Sequence, residues 1–177
     1  MSTKMLIAIL LVSFSGVAVA GDVQAFPVTG VDLSTYKTFK MLPPRVLTKA
    51  GIQENDPTYG PYILASVRKE LIAKGLTEVD TNPDMEVATG GLGRAFPQLE
   101  ALIYSYTLDA SWWGTGTLTT VGRYNKEGTV LVNCIDPKTK KTVWFGMASR
   151  AWGKPSTVDS MIAKATAQLF KKYPPLQ

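Results

Sequence analysis

Two β-rich segments in the last third of the chain constrain its fold more than any other feature. Residues 129–135 and 142–149 are dominated by valine and other apolar side chains, and Asp136 and Pro137 open the connection between them. Because Asp and Pro favour a turn, the two segments are predicted to form a β-hairpin. A strand with one solvent-facing side alternates apolar with polar residues, whereas these segments are apolar on both sides. The pattern therefore predicts central strands of a sheet covered on both faces.

Two other segments have the periodicity of amphipathic helices, with apolar residues recurring at spacings of three and four. The first begins at Asp56-Pro57, where a carboxylate caps free amides and proline fits the first turn, and Gly75 ends it. The second begins at Ser156, which with Asp159 three positions later approximates a capping box, and it ends before Pro174. Both segments are predicted to pack one apolar face on the sheet.

Four more segments are rich in β-branched and aromatic residues and are predicted to be strands. They are residues 35–41, 85–89, 101–108 and 115–124. The resulting order of strand, helix, several strands and helix predicts an α+β fold. In this fold two helices pack on one face of a mostly antiparallel β-sheet.

Three segments lack a strand or helix pattern. Residues 21–33 are expected to be only partly ordered, and residues 45–55 are expected to form a polar connection. The glycines at Gly90, Gly91 and Gly93 lack the Lys-Ser/Thr ending of a phosphate-binding loop and open no helix. They are predicted to lie in a flexible loop.

The first twenty residues have the pattern of a secretory signal peptide. Lys4 supplies the positive start, residues 5–12 are an unbroken apolar run, and Ala18-Val19-Ala20 fits the small-x-small cleavage motif. The apolar stretch is shorter than the roughly 20 residues that a membrane span needs. The sequence therefore predicts export rather than a transmembrane anchor.

Cleavage is expected after Ala20, or alternatively after Ala25, where Val23-Gln24-Ala25 repeats the small-x-small motif. Residues 1–20 are interpreted as the signal peptide and residues 26–177 as a single α+β domain. No cysteine stands near the cleavage point, so lipid attachment to an N-terminal cysteine is excluded. A periplasmic or secreted protein without a transmembrane span in its mature chain is expected.

The composition excludes several kinds of chemistry. The 177 residues include no histidine and one cysteine. Ser-His-Asp triads, Cys-His dyads, Cys/His zinc sites and intramolecular disulfides are therefore excluded. The formal net charge is +5, but the basic residues are scattered, with no cluster larger than residues 138–141 and 171–172. Because a nucleic-acid footprint needs a dense basic stripe, no nucleic-acid partner is predicted. No cofactor or metal is predicted either.

Paired carboxylates provide one enzymatic alternative, since they hydrolyse glycosides without histidine. The candidates are Asp84, Glu86, Glu100, Asp109 and Asp136. Nothing in the sequence brings two of them together, and aspartates at the start of a strand or a turn have common structural uses. A carboxylate-based hydrolase therefore ranks below a non-enzymatic function.

The single cysteine lies in a predicted strand. Cys134 points the same way as Val130 and Val132, so a buried, inert thiol is expected rather than a reactive one.

Aromatic residues form the candidate binding surface. Trp112 and Trp113 are adjacent and stand beside Gly114, and neighbouring residues on a strand point in opposite directions, so one of the two is expected at the surface. Tyr104 and Tyr106 extend the same surface. Exposed aromatic rings stack on sugar rings or anchor protein partners, whereas Trp144 is predicted to fill the core.

Several short pieces together resemble domain-of-unknown-function family 4136, a bacterial envelope family with many lipoprotein members. The pieces are Tyr36-Lys37-Thr38-Phe39, Leu71-Ile72-Ala73-Lys74-Gly75-Leu76, Asn82-Pro83-Asp84-Met85-Glu86-Val87, Gly128-Thr129-Val130-Leu131-Val132 leading to Asp136, Val143-Trp144-Phe145-Gly146-Met147-Ala148, and residues 170–174. The resemblance implies an envelope-facing domain without established catalysis, and it supplies no active-site residue. This chain departs from the family in having no lipidated cysteine and in carrying Phe145 where a basic residue is frequent.

The favoured interpretation is an exported, non-enzymatic envelope protein that acts as a binding or assembly module for an envelope protein partner. A module that binds a glycan or lipid through exposed aromatic residues is the first alternative. A carboxylate-based hydrolase is the second.

Overall fold

The computed structural model describes residues 23–48, 51–92, 128–149 and 157–174. Within these ranges the chain forms eight strands and two α-helices, with a short 3-10 turn at Leu33–Thr35. The strands are β1 (Val23–Pro27), β2 (Thr38–Met41), β3 (Arg45–Thr48), β4 (Gly51–Glu54), β5 (Thr77–Glu78), β6 (Met85–Leu92), β7 (Thr129–Ile135) and β8 (Thr142–Ala148). The helices are α1 (Gly60–Ala73) and α2 (Val158–Phe170).

The eight described strands form one mixed sheet: six lie in the order β1-β8-β7-β6-β2-β5, β3 also pairs with β6, and β4 pairs with β3. The pairs β1–β8, β8–β7 and β7–β6 are antiparallel, and β3 and β4 form an antiparallel hairpin. Strands β2 and β3 run parallel to β6, and β5 runs parallel to β2. The predicted α+β fold, its mostly antiparallel sheet and the order of its elements are confirmed.

Strands β2 and β3 lie one after the other along the same edge of β6. Phe39 is opposite Met85, and Val46 is opposite Gly91. Between β2 and β3 stand Pro43 and Pro44, which have no N–H to donate to a ladder, so pairing stops and then resumes. The prediction of a polar connection at residues 45–55 is wrong, because β3 and β4 occupy it. Burial of Val46 on the sheet outweighs the polar character of this short segment.

The prediction of a flexible loop at Gly90 and Gly91 is also wrong. Gly90 and Gly91 lie inside β6, opposite Leu131 and Val130 of β7, whereas Gly93 lies outside the described residues. A Cβ atom at Gly90 would lie 3.2 Å from the backbone oxygen of Arg45. Pairing with strands on both sides overrides the weak strand propensity of glycine, and the missing side chain permits the close backbone approach.

The predicted hairpin is β7–β8, and both faces of its strands are buried. One face packs under α1 and α2 and contributes to a core that contains Val130, Val132, Cys134, Trp144, Ala148, Ile63, Val67, Leu71, Ile162 and Leu169. The opposite face carries Leu131, Phe145 and Met147, which are all buried. The two-sided burial predicted from the apolar pattern is confirmed.

Strand β1 forms where the sequence suggested only partial order. It pairs with β8, and just beyond it Val28 N donates a hydrogen bond to Val143 O. Because hydrogen-bonded pairs alternate along an antiparallel ladder, the backbone groups of residues 28, 26 and 24 point towards β8. The backbone groups of Val23, Ala25 and Pro27 therefore point away from β8. Pro27 stands where an N–H would face outward, which is a position that proline tolerates. With five residues and a terminal proline, β1 is too short for a strong periodic signal.

Both ends of α1 follow from the local sequence. The Asp56 carboxylate accepts hydrogen bonds from Thr58 N at 3.0 Å and Tyr59 N at 2.7 Å, so it caps the turn that leads into the helix. The helix itself begins at Gly60, four residues after the predicted start. At the other end Gly75 has φ +91°, and Leu76 N donates to Leu71 O at 3.1 Å, which is the Schellman arrangement expected there.

Candidate functional site

The predicted binding residues Trp112, Trp113, Tyr104 and Tyr106 lie outside the described residues, so that surface stays a prediction. Trp144 is described and is fully buried. Its ring centroid lies 5.0 Å from that of Tyr173 and 5.5 Å from that of Phe170. Trp144 therefore fills the core, as expected.

The described residues bring several polar groups together at one end of the sheet. Tyr36 lies two residues before β2 and Thr38 begins it, Asp84 immediately precedes β6, and Asp136 immediately follows β7. Because β2 is parallel to β6 and β7 is antiparallel to it, these three strand ends meet. We call these four residues the Tyr36–Asp136 cluster.

Asp84 ties the start of β6 to the start of β2. Its carboxylate accepts hydrogen bonds from Lys37 N at 3.1 Å, Thr38 N at 3.0 Å and Thr38 Oγ1 at 2.9 Å. Asp84 N in turn donates to Thr38 Oγ1 at 2.9 Å. The hydrogen bond from the Lys37 amide and those from Thr38 lower the pKa of Asp84, so this carboxyl stays ionised at neutral pH.

Asp136 holds the β7–β8 turn in place. It accepts hydrogen bonds from Lys138 N at 2.7 Å and Thr139 N at 3.2 Å, and the Tyr36 hydroxyl donates to it at 3.4 Å. Desolvation acts to raise the pKa of Asp136, but these hydrogen bonds outweigh it and lower the pKa overall. Desolvation, together with the negative charge of Asp136, raises the pKa of Tyr36. Tyr36 therefore remains a neutral hydrogen-bond donor.

Neither carboxylate of the cluster has the pKa that the acid of a glycosidase pair needs. Such a pair needs one carboxylic acid whose pKa is raised so that it can donate a proton, whereas the pKa values of Asp84 and Asp136 are lowered. Glu86 forms an ion pair with Lys140 at 3.5 Å, and Glu100 and Asp109 lie outside the described residues. The described carboxylates of the cluster join strands and turns.

Sequence reasoning did not predict the Tyr36–Asp136 cluster. Its hydrogen-bonded partners are separated by 46 and 100 positions along the chain, so no local pattern connects them. The pieces that carry the family resemblance were the available signal, because they contain Tyr36, Thr38, Asp84 and Asp136.

Cys134 and the acidic residues form no metal site in the part of the chain that the structure describes. The Cys134 side chain is fully buried, and desolvation raises the pKa of its thiol. A buried thiol of this kind is neither a nucleophile nor an accessible ligand. The prediction of a buried thiol at this position is confirmed.

None of the helices in the described ranges is both long and apolar enough to cross a membrane.

Comparison with known proteins identifies a family and a fold. The sequence profile of a domain of unknown function, DUF4136, matches residues 24–175. A DUF4136 family protein from Bacteroides thetaiotaomicron has a similar structure, with a TM-score of 0.61 and 14% identity over 89% of this chain and 98% of that one. No curated protein sequence matches.

Two further solved structures are similar. A PDZ domain protein from Parabacteroides distasonis has a TM-score of 0.54 and 18% identity over 88% of this chain, but only 36% of its own length is covered. The PelC dodecamer from Paraburkholderia phytofirmans has a TM-score of 0.45 and 17% identity over 84% of this chain and 98% of that one. At such identities the likeness to the Bacteroides and Parabacteroides proteins shows a shared fold, and none of the three structures transfers a function to this chain.

Proposed function

This chain belongs to the DUF4136 family, and we propose that it is an exported, non-enzymatic protein of the bacterial envelope that acts as a binding or assembly module. The observation that supports the non-enzymatic part is that the cluster carboxylates and the thiol within the described ranges serve structural roles. Asp84 and Asp136 are ionised and bonded to backbone amides, and Cys134 is buried with a raised pKa. These groups support the fold, and none of them is poised for proton transfer or nucleophilic attack.

Export is supported by the leader pattern of residues 1–20 and by the position of β1. Val23 and Ala25 pack against the main core, and β1 begins at Val23. Cleavage after Ala25 removes three of the five residues of β1, whereas cleavage after Ala20 leaves the strand intact. We therefore favour Ala20 as the last residue of the leader.

Assembly is supported by the outer edge of β1. No other described strand pairs with that edge, and the outward amides of Val23 and Ala25 lie on an uncharged strand. An open strand edge accepts a strand from another chain through main-chain hydrogen bonds. The predicted aromatic surface at Trp112 and Trp113 is a second place for a partner.

Cross-linking in intact bacterial cells, followed by mass spectrometry, tests the proposal. We expect the wild-type chain to capture a defined envelope partner, and expect Trp112→Ala/Trp113→Ala or Ala25→Pro to lose it. Ala25→Pro removes an outward N–H while leaving the bonds at Gln24 and Phe26 in place. Tyr62→Ala is the control, because Tyr62 is an exposed aromatic residue of α1, 45% accessible.

Two results contradict the proposal. One is the absence of any defined partner for the wild-type chain under conditions that capture known envelope complexes. The other is loss of the partner in the Tyr62→Ala control to the same extent as in the test variants. Circular dichroism of each purified variant establishes that its fold is retained.

A further inference from the structure

Lysines that are scattered along the sequence converge on one end of the folded chain. We call this surface the lysine end. It consists of Lys37, Lys74, Lys138, Lys140, Lys141, Lys171 and Lys172. All of these side chains except that of Lys74 are exposed.

The contacts of the helix ends show how this convergence arises. Lys74 is the C-cap of α1, and its Nζ donates to the backbone oxygen of Tyr173, just beyond α2, at 3.3 Å. The C-terminal ends of α1 and α2 therefore lie together. The Tyr173 ring is 5.0 Å from Trp144 at the start of β8, so both helix ends lie beside the β7–β8 turn.

The Tyr36–Asp136 cluster brings the remaining lysine to the same place. The hydrogen bond from the Tyr36 hydroxyl to Asp136 joins the segment before β2 to the β7–β8 turn. Lys37 follows Tyr36 directly, and the turn itself carries Lys138, Lys140 and Lys141. Four separate segments thus supply positive charge to one end.

The positive charge exceeds the negative charge that faces it. Within the described ranges, Asp32, Asp84, Glu86 and Asp136 are the carboxylates that interact with these lysines or their backbone amides. Seven lysines against four carboxylates leave three positive charges in excess. Lys171 and Lys172 also complement the negative end of the α2 dipole, and Lys74 that of the α1 dipole, which accounts for three of the lysines but not for the other four.

We propose that the lysine end binds the surface of an anionic phospholipid bilayer. Long lysine side chains from four segments suit a broad array of mobile negative headgroups. Each lysine close to such a surface strengthens binding by about fivefold, and salt weakens the attraction. This inference does not depend on the proposed function, because it concerns a surface and a ligand that can be tested with purified protein.

Vesicle co-sedimentation of the full chain tests the proposal. The vesicles are neutral phosphatidylcholine or a mixture of phosphatidylcholine with phosphatidylglycerol. Residues 1–20, with Lys4 and the apolar run at residues 5–12, are common to all the variants compared, so differences between the variants isolate the lysine end. We expect clear preference for the anionic vesicles at low salt, with progressive loss as salt is raised through the physiological range.

Two matched double variants locate the effect. Lys138→Gln/Lys171→Gln removes two exposed lysines of the lysine end and is expected to weaken binding to anionic vesicles about 25-fold. Lys69→Gln/Lys164→Gln removes the same charge from exposed positions farther back along α1 and α2, and is expected to change binding much less.

Three results overturn the proposal. The first is equal binding of the wild-type chain to neutral and anionic vesicles. The second is equal weakening by the two double variants, which indicates a net-charge effect without a defined surface. The third is binding to soluble polyphosphate with no preference for anionic vesicles, which assigns the lysine end to a free polyanion instead of a bilayer.

Discussion

Replacement of Gly146 by alanine is predicted to strain the core between β8 and α2. Gly146 lies beneath the indole of Trp144, and an added Cβ would lie 2.6 Å from Trp144 Cη2 and 2.7 Å from Leu169 Cδ1. Favourable carbon–carbon contacts are about 3.5–4.0 Å, so each neighbour must retreat by about 1 Å. Trp144 and Leu169 are fully buried, and Phe170 and Tyr173 pack on the indole.

Overpacking of this kind costs about 1–3 kcal/mol. We expect Gly146→Ala to lie in the upper half of that range, because both clashing side chains are held by other core residues. Against a total stability of about 5–15 kcal/mol, such a loss is readily measured. The assay is urea unfolding of the full chain, followed by tryptophan fluorescence.

A double-mutant cycle tests the physical reason. Leu169→Ala alone costs about 2–5 kcal/mol, but it also opens space for the new methyl group. The double variant should therefore be less destabilised than the sum of the two single variants by about 1 kcal/mol. Val46→Ala is the matched control, because β3 lies three strands from β8, about 14 Å away, where effects should add. A cost below about 0.5 kcal/mol for Gly146→Ala, or full additivity with Leu169→Ala, refutes the reasoning.

Three further predictions concern single polar groups. Because hydrogen bonds lower the pKa of Asp84, its contribution to stability is present above its unfolded pKa of about 3.9 and is lost as pH falls through the lower folded value. Urea unfolding of Asp84→Asn between about pH 5 and pH 2 should show a shallower pH dependence than wild type; equal slopes contradict this. Cys134 should fail to react with a chromogenic disulfide reagent in the native state and react fully in urea, since its thiol is buried; rapid native labelling contradicts this. The Tyr173 hydroxyl is buried and has no hydrogen-bond partner among the described residues, so Tyr173→Phe should change the free energy of unfolding by less than about 1 kcal/mol, and a larger loss indicates a bond to that hydroxyl.

The features that were predictable from the sequence have local causes. The β7–β8 hairpin follows from its apolar residues and the Asp136-Pro137 turn, and α1 follows from its apolar stripe and from Gly75. The residues that determine each of these elements lie within about twenty positions of one another, so the sequence alone is enough to predict the element.

The features that were missed depend on contacts between distant segments. Gly90 and Gly91 become part of a strand only because β7 and β3 pair on both sides of β6. The Tyr36–Asp136 cluster joins residues 100 positions apart, and the lysine end joins four segments through Lys74, Tyr36 and Tyr173. Since no periodicity connects such residues, only the fold reveals them.

The predicted aromatic surface illustrates a different limit. An adjacent pair such as Trp112-Trp113 signals that one ring faces solvent if the segment is a strand. The sequence does not specify what that ring contacts, and the residues lie outside the described ranges. The surface therefore remains a prediction that the cross-linking variants test.

Intact mass spectrometry of the chain purified from the cell envelope tests the central claim most directly. If the leader ends at Ala20, as we propose, the exported protein keeps β1 and begins at Gly21. Recovery of this mature form from the periplasm or the growth medium is the predicted result. Recovery of a chain that retains residues 1–20, from the cytoplasm alone, would contradict export and, with it, a function in the envelope.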